Sequence, residues 1–152
     1  MREFLQTKKA REFLELIKLQ WDADVNFLLE DYFFMKSEED KYYITSRDVE
    51  KVELKKLRLN AIGLYIAEVN NTQVRLSIEG SQLIGPHAKK NVVNVNETQM
   101  RDWLKGEELS VEGNHTGFVI IKYNNDFLGS GKFSEGKVLN FIPKVRRVKE
   151  LV

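Results

Sequence analysis

Gly117-Phe118-Val119-Ile120-Ile121-Lys122-Tyr123, then Asn124-Asn125-Asp126, then Phe127-Leu128-Gly129-Ser130-Gly131-Lys132, is the stretch whose reading decides the fold. Phe118-Val119-Ile120-Ile121 is apolar at consecutive positions. Successive side chains of a strand point to opposite faces, so this run predicts a central strand buried on both. Asn124-Asn125-Asp126 supplies the turn after it, because Asn and Asp tolerate the left-handed conformation. Phe127-Leu128-Gly129 leads back, Ser134-Glu135-Gly136 turns again, and Val138-Leu139-Asn140-Phe141-Ile142 closes the run. Gly129-Ser130-Gly131-Lys132 lacks the upstream glycine and the strand–loop–helix context of a phosphate-binding loop, and it makes no dinucleotide fingerprint. The expected role of its glycines is a bulge or a close backbone approach.

Upstream, Val92-Val93-Asn94-Val95 reads as a strand. Asn96 is an N-cap, and Gln99 three residues later completes a capping-box pattern. The helix passes through Met100, Trp103 and Leu104 and stops near Gly106. Many short strands at turn spacing with one small helix predict a compact β-barrel. Gly85-Pro86 punctuates the chain before it, which places a domain boundary there: an N-terminal α+β domain over 1–86 and the barrel over 87–152.

In the first half, Phe4, Ala10, Phe13, Leu14, Ile17 and Trp21 recur at helical spacing and predict a helix over 2–20. Its face is not strongly basic, so core packing is expected over membrane binding. Tyr32-Phe33-Phe34-Met35 and Tyr42-Tyr43-Ile44 flank the polar Ser37-Glu38-Glu39-Asp40 and form an aromatic hairpin, read as core in preference to a base-stacking platform. Ser46 resembles an N-cap, with Arg47-Asp48-Val49-Glu50 opening a short helix. Ile62, Leu64 and Ile66 share a face of one strand. Val74, Leu76 and Ile78 alternate with Arg75, Ser77 and Glu79 on the next, and Asn70-Asn71 turns between them. The fold class is α+β: antiparallel strands and helices, then a β-barrel with one or two short helices.

Apolar residues at 42% and charged residues at 31% give both a core and a soluble surface. No apolar run approaches the roughly 20 residues that span a bilayer, and Met1-Arg2-Glu3-Phe4 lacks a signal-peptide core, so a cytoplasmic location is expected. The Asn-x-Thr sequons at Asn70, Asn96 and Asn114 then arise by chance. The absence of cysteine excludes disulfides, thiolate metal sites and thiol nucleophiles. His87 and His115 are too few for a histidine metal site and are expected in linker and turn; Glu38-Glu39-Asp40 and Glu107-Glu108 read as solvated turns. No cofactor is implied. Net charge is +1 but uneven. Segment 1–86 carries −2 and the remainder +3, concentrated at Lys132, Lys137, Lys144, Arg146, Arg147 and Lys149. That strip points either to a polyanion or to a solvated last strand.

Three blocks together carry a family resemblance. Trp103-Leu104-Lys105-Gly106-Glu107-Glu108-Leu109 resembles the helix end and following loop of PUA domains. Gly117–Tyr123 with Phe127–Lys132 resembles their strand pair ending in a glycine-rich strand. Lys137-Val138-Leu139-Asn140-Phe141-Ile142-Pro143-Lys144 is similar to the closing segment of the PUA-like domain of Sun-type RNA cytosine-5 methyltransferases. The match covers roughly residues 91–147. Over about 10–85 the topology also resembles the amino-terminal domain of small PUA-containing ribosome-biogenesis factors.

The resemblance implies RNA binding, to rRNA or tRNA, in processing or modification. It points to Lys105 and Gly106, to Lys132, and to Lys144, Arg146 and Arg147; Lys89 and Lys90 join them from charge and position. Sun-type chemistry needs a cysteine nucleophile and a methyl-donor domain of about 200 residues or more, so a non-catalytic chain is expected, acting beside a separate methyltransferase or ribosome-assembly factor. The rival reading is a protein-interaction subunit in which the aromatic first half docks such a partner.

Overall fold

The computed structural model describes residues 2–47 and 63–149. The chain runs β1 (Glu3–Phe4), α1 (Thr7–Trp21), α2 (Leu28–Asp31), β2 (Tyr32–Lys36), β3 (Lys41–Ser46), β4 (Leu64–Asn70), β5 (Gln73–Leu76), α3 (Ile78–Ile84), β6 (Val92–Asn94), α4 (Glu97–Leu104), β7 (Leu109–Ser110), β8 (Phe118–Tyr123), β9 (Asp126–Ser134) and β10 (Lys137–Asn140). Single 3₁₀ turns occupy Gly85–His87 and Lys144–Arg146.

The first five strands form an antiparallel sheet in the order β1-β2-β3-β4-β5. α1 buries Ala10, Phe13, Leu14, Ile17 and Trp21 at the expected helical spacing. It begins at Thr7, not at residue 2: Glu3 and Phe4 pair with Lys36 and Met35 as an edge strand, a long-range contact that overrides the local periodicity. The aromatic hairpin packs into the core, with Tyr42 stacked on Phe13 at 4.1 Å and Phe34 and Met35 buried. The helix expected to open at Arg47-Asp48-Val49-Glu50 falls largely on residues outside those described, as does Ile62.

A bulge corrects the reading of β4. Tyr42 faces Ala67 but Tyr43 faces Tyr65, so Ile66 is the extra residue. Leu64 is thereby 47% exposed while adjacent Ile66 and Ala67 are both buried. The bulged Ile66 carbonyl accepts the Ser77 N–H at 2.9 Å. The Ser77 hydroxyl in turn accepts the Gly80 N–H at 3.0 Å as an N-cap. β5 therefore stops at Leu76, and Ile78 belongs to a helix that alternation had extended as strand.

The second sheet has the order β6-β8-β9-β10-β7, with β6 parallel to β8 and the other pairs antiparallel. β8 is central, as expected. The sheet curls as a half-barrel whose edges, β6 and β7, do not pair among the described residues, so the expected compact β-barrel is an open half-barrel. The capping box at α4 is present: Gln99 N–H donates to Asn96 Oδ1 at 2.8 Å, and Asn96 N–H to Gln99 Oε1 at 3.0 Å.

β9 carries the glycines in both anticipated roles. A register shift after Ile120 coincides with Gly129 at φ +91°. A Cβ on Gly131 would stand 2.5 Å from the Trp103 ring and 2.4 Å from the Leu139 carbonyl oxygen. β10 ends at Asn140, two residues before the expected Ile142, because Asn140 turns to serve α4: its Nδ2 donates to the Trp103 and Glu107 carbonyls at 2.8 and 3.0 Å.

One apolar cluster spans Gly85-Pro86. Phe118, Ile120 and Phe127 of the second sheet pack with Val74, Leu76, Ile84 and the α1 face. Side chains plug the outer edge of β5 as well. Gln20 receives the Val74 N–H at 3.0 Å and donates to the Val74 carbonyl at 2.8 Å; Ser130 does the same for Leu76. No helix among the described residues is long and apolar enough to cross a membrane.

Candidate nucleic-acid interface

The eight candidate residues fall at three places. Lys105 and Gly106 follow the last turn of α4, and the Arg147 side chain lies across Gly106, where a Cβ would meet its Cδ at 2.5 Å. Gly106 takes φ +97°, which leaves that side open for the guanidinium stem. Arg147 Nε donates to the Ile142 carbonyl at 2.9 Å, and the Val148 N–H to the Leu104 carbonyl at 2.9 Å. The tail is thus fastened to the helix end as a 3₁₀ turn and extended segment, not as the anticipated closing strand. Lys144 is exposed on that turn beside Val145, which is 94% exposed. Arg146 points the other way, to the first half, and forms an ion pair with Glu79, with Nη1 2.7 Å from Oε2.

Lys132 lies on β9 between Phe118 of β8 and Leu139 of β10. It lines a groove with Arg75, Glu68, Phe118 and Phe141. The Arg75 guanidinium there is paired with Glu68 and sits 4.8 Å over the Phe141 ring. Tyr65 adjoins Arg75 from β4; burial pushes its phenol up from the ordinary value, with the Arg75 charge pulling against it.

Lys89 and Lys90 occupy a third place. Both backbone N–H groups donate to the Trp21 carbonyl, at 2.8 and 3.2 Å, so the end of α1 fixes the segment that enters β6. They line a groove of about 650 Å³ with Asn91, Asn94, Asn114, His115, Thr116 and Lys122. Sequence reasoning missed Lys122, although it is the one charge in the Phe118–Tyr123 run, and left His115 as a solvated turn residue. His115 is half-buried, edge-on to Phe133 at 5.4 Å, with its Nδ1 buried and unpartnered. His87 lies edge-on to Phe27 at 5.0 Å. Among the described residues no cluster of three or more His, Asp or Glu gathers as a metal site.

A sheet curled as a half-barrel with one capped helix is consistent with a PUA-like domain. Residues 90–148 match the family described as Methyltransferase RsmF PUA domain, so this stretch is a PUA domain of that type. The chain is similar to proteins named ribosomal RNA small subunit methyltransferase F. It is 32% identical to that of Vibrio cholerae over 92 residues, covering 60% of this chain and 20% of that protein. It is 33% identical to that of Aeromonas hydrophila over 90 residues, covering 59% and 19%. It is 25% identical to that of Vibrio vulnificus over 91 residues, covering 60% and 19%. The chain spans about a fifth of the length of these relatives. The matches are longer than the stretch from residue 90 to 152, so they take in residues before Gly85-Pro86 as well.

Proposed function

We propose that this chain is a non-catalytic RNA-binding protein that engages rRNA through its PUA domain, acting in rRNA modification or processing in the cytoplasm. The observation that carries the reading is the match of residues 90–148 to the PUA domain of a methyltransferase family whose relatives are named for small-subunit rRNA. Two features support the non-catalytic part. Only the PUA region and the residues adjoining it are shared with those relatives. The chain contains no cysteine for the thiolate attack that Sun-type chemistry needs. A separate RNA methyltransferase or ribosome-assembly factor fits as its protein partner.

Crosslinking the protein to RNA in its native cells and sequencing the attached fragments tests the reading. Small-subunit rRNA is the expected enriched species. Enrichment of tRNA would redirect the assignment, and recovery of protein partners without RNA would move it to an interaction subunit. Incubation with labelled methyl donor and total RNA is expected to give incorporation no higher than a buffer blank.

A further inference from the structure

We propose that the groove formed by the Gly85–Asn91 segment, β6 and the Asn114–Thr116 loop is the seat of the RNA phosphate backbone, gripped by Lys89, Lys90 and Lys122. This rests on the RNA-binding reading above and specifies where the strand lies.

Ion pairing distinguishes the lysines of this groove from several other cations of the chain. Arg146 is committed to Glu79, Arg75 to Glu68 and Arg101 to Glu97. Lys36 and Lys41 face Asp40 and Glu39. The groove at β6 is different: three lysines and His115 line it, and no carboxylate does. Among the described residues none of Lys89, Lys90 and Lys122 has an ion-pair partner, so their field is not neutralised locally. Concave walls of one sign focus that field on an approaching polyanion.

The groove is also built in advance. Asn91, 9% exposed, bolts its floor: Nδ2 donates to the Gln20 carbonyl at 2.7 Å, and Oδ1 accepts the Thr116 N–H at 3.2 Å. The Asn91 carbonyl accepts the Ile120 N–H at 2.9 Å. The segment before β6, the loop before β8 and the end of α1 are therefore locked to one residue. Lys122 is held from beneath, its ammonium 5.5 Å over the buried Phe127 ring. Little conformational freedom of the backbone remains to be lost when a strand settles across the lysines. Asn94, Asn114 and Thr116 add hydrogen-bonding groups of the kind that bind phosphate and ribose without reading sequence.

Filter binding of the full chain to purified small-subunit rRNA, across a series of monovalent salt concentrations, tests the proposal. Lysine contacts to phosphate release counterions, each contributing about 0.7 to the log–log salt slope on single strands. The K89Q/K90Q/K122Q variant is expected to lose about two units of slope and on the order of 100-fold in affinity at 0.1 M salt. The comparison is K8Q/K9Q/K18Q, which removes the same charge from α1 and is expected to bind like the parent. Equal losses in both variants would reduce the effect to net charge and overturn the groove. A groove variant that binds like the parent would overturn it too, leaving the RNA-binding reading intact. If the parent itself fails to bind, that reading falls, and the groove with it. Thermal melting accompanies each variant; should the triple variant unfold, K89Q/K90Q, both exposed, is expected to lose about 1.4 units of slope and roughly 25-fold in affinity at 0.1 M salt with an unchanged melt.

Discussion

The Ser130 hydroxyl accepts the Leu76 N–H at 2.9 Å and donates to the Leu76 carbonyl at 3.0 Å. One side chain of β9 thus completes the edge of a strand in the other sheet, and all the groups involved are buried. Ser130→Ala strands a backbone donor and an acceptor together, each costing about 1–3 kcal/mol when unpaired. The expected destabilisation is about 2–4 kcal/mol, read from the urea midpoint at constant slope. An unshifted midpoint would show that water reaches Leu76 in the variant.

Phe118, Ile120 and Phe127 share one apolar cluster with Leu76, Ile84 and Trp21 across Gly85-Pro86, while Val93, Trp103, Val119 and Val138 belong to a second. Tryptophan fluorescence and far-UV circular dichroism are expected to trace a single coincident unfolding transition. The isolated 87–152 segment, with that apolar face uncovered, is expected to show no cooperative transition. Trypsin is expected to spare Lys89 and Lys90 in the native chain, because the Trp21 carbonyl holds both backbones. Early cleavage there, with both fragments staying folded, would show two independent domains.

Gly131 is a matter of space. A Cβ there would collide with the Trp103 ring and with a backbone oxygen that cannot rotate away. Gly131→Ala is expected to cost about 1–3 kcal/mol and to weaken the near-ultraviolet signal of Trp103 as its indole leaves its hydrogen bond to the Leu128 carbonyl. Gly117→Ala, where a Cβ would meet nothing within 4 Å, provides the contrast. Since φ there is +68°, it carries only a backbone cost of about 1 kcal/mol and leaves the tryptophan signal unchanged.

Glu79 pairs with the partly exposed Arg146 and so competes with a phosphate for its guanidinium. Glu79→Gln releases the guanidinium, and rRNA affinity at 0.1 M salt is expected to rise about fivefold if one phosphate contact is gained. Arg146→Ala alone is expected to leave affinity unchanged, and in the Glu79→Gln background to cancel the gain. Stability moves by no more than about 1 kcal/mol, because the pair is partly exposed. A loss of affinity in the Arg146→Ala single variant would show that the ion pair opens for RNA.

Burial raises the Tyr42 and Tyr65 phenols above their ordinary value of 10.0, so the folded chain holds these protons more tightly than the unfolded one. Their contribution to stability is complete below about pH 10 and is lost as pH rises through the folded values. Urea midpoints are expected to fall above pH 10, in step with tyrosinate absorbance. The Tyr42→Phe/Tyr65→Phe variant is expected to lose part of that alkaline dependence.

Local chemistry was readable. Asn96 and Gln99 form their box from neighbours in sequence, Asn71 and Asn124 take the left-handed turn conformation, and the Phe118–Ile121 run is buried throughout. What escaped depends on distant partners. Phe4 leaves the helical pattern because Met35 offers it a strand partner. Ile78 leaves the alternating pattern because the Ile66 bulge carbonyl receives Ser77. For the interface, counting charges cannot show which are neutralised: Arg146 looks free in a basic tail until Glu79, 67 residues away, is found beside it. Lys122 looks like an incidental charge in a buried strand until Lys89 and Lys90 are folded next to it.

The sheet margins have a consequence for crowding. Unpaired strand edges are templates on which a second copy can add a strand and begin an aggregate. Among the described residues, β1 and β7 offer two residues each and β6 three. The four-residue β5 has the outward groups of Val74 and Leu76 already taken by Gln20 and Ser130. Lysines stand at the entry to β6 and repel a like-charged neighbour. Margins of this kind among the described residues disfavour sheets joining edge to edge, and light scattering at millimolar protein is expected to show no growth of aggregates.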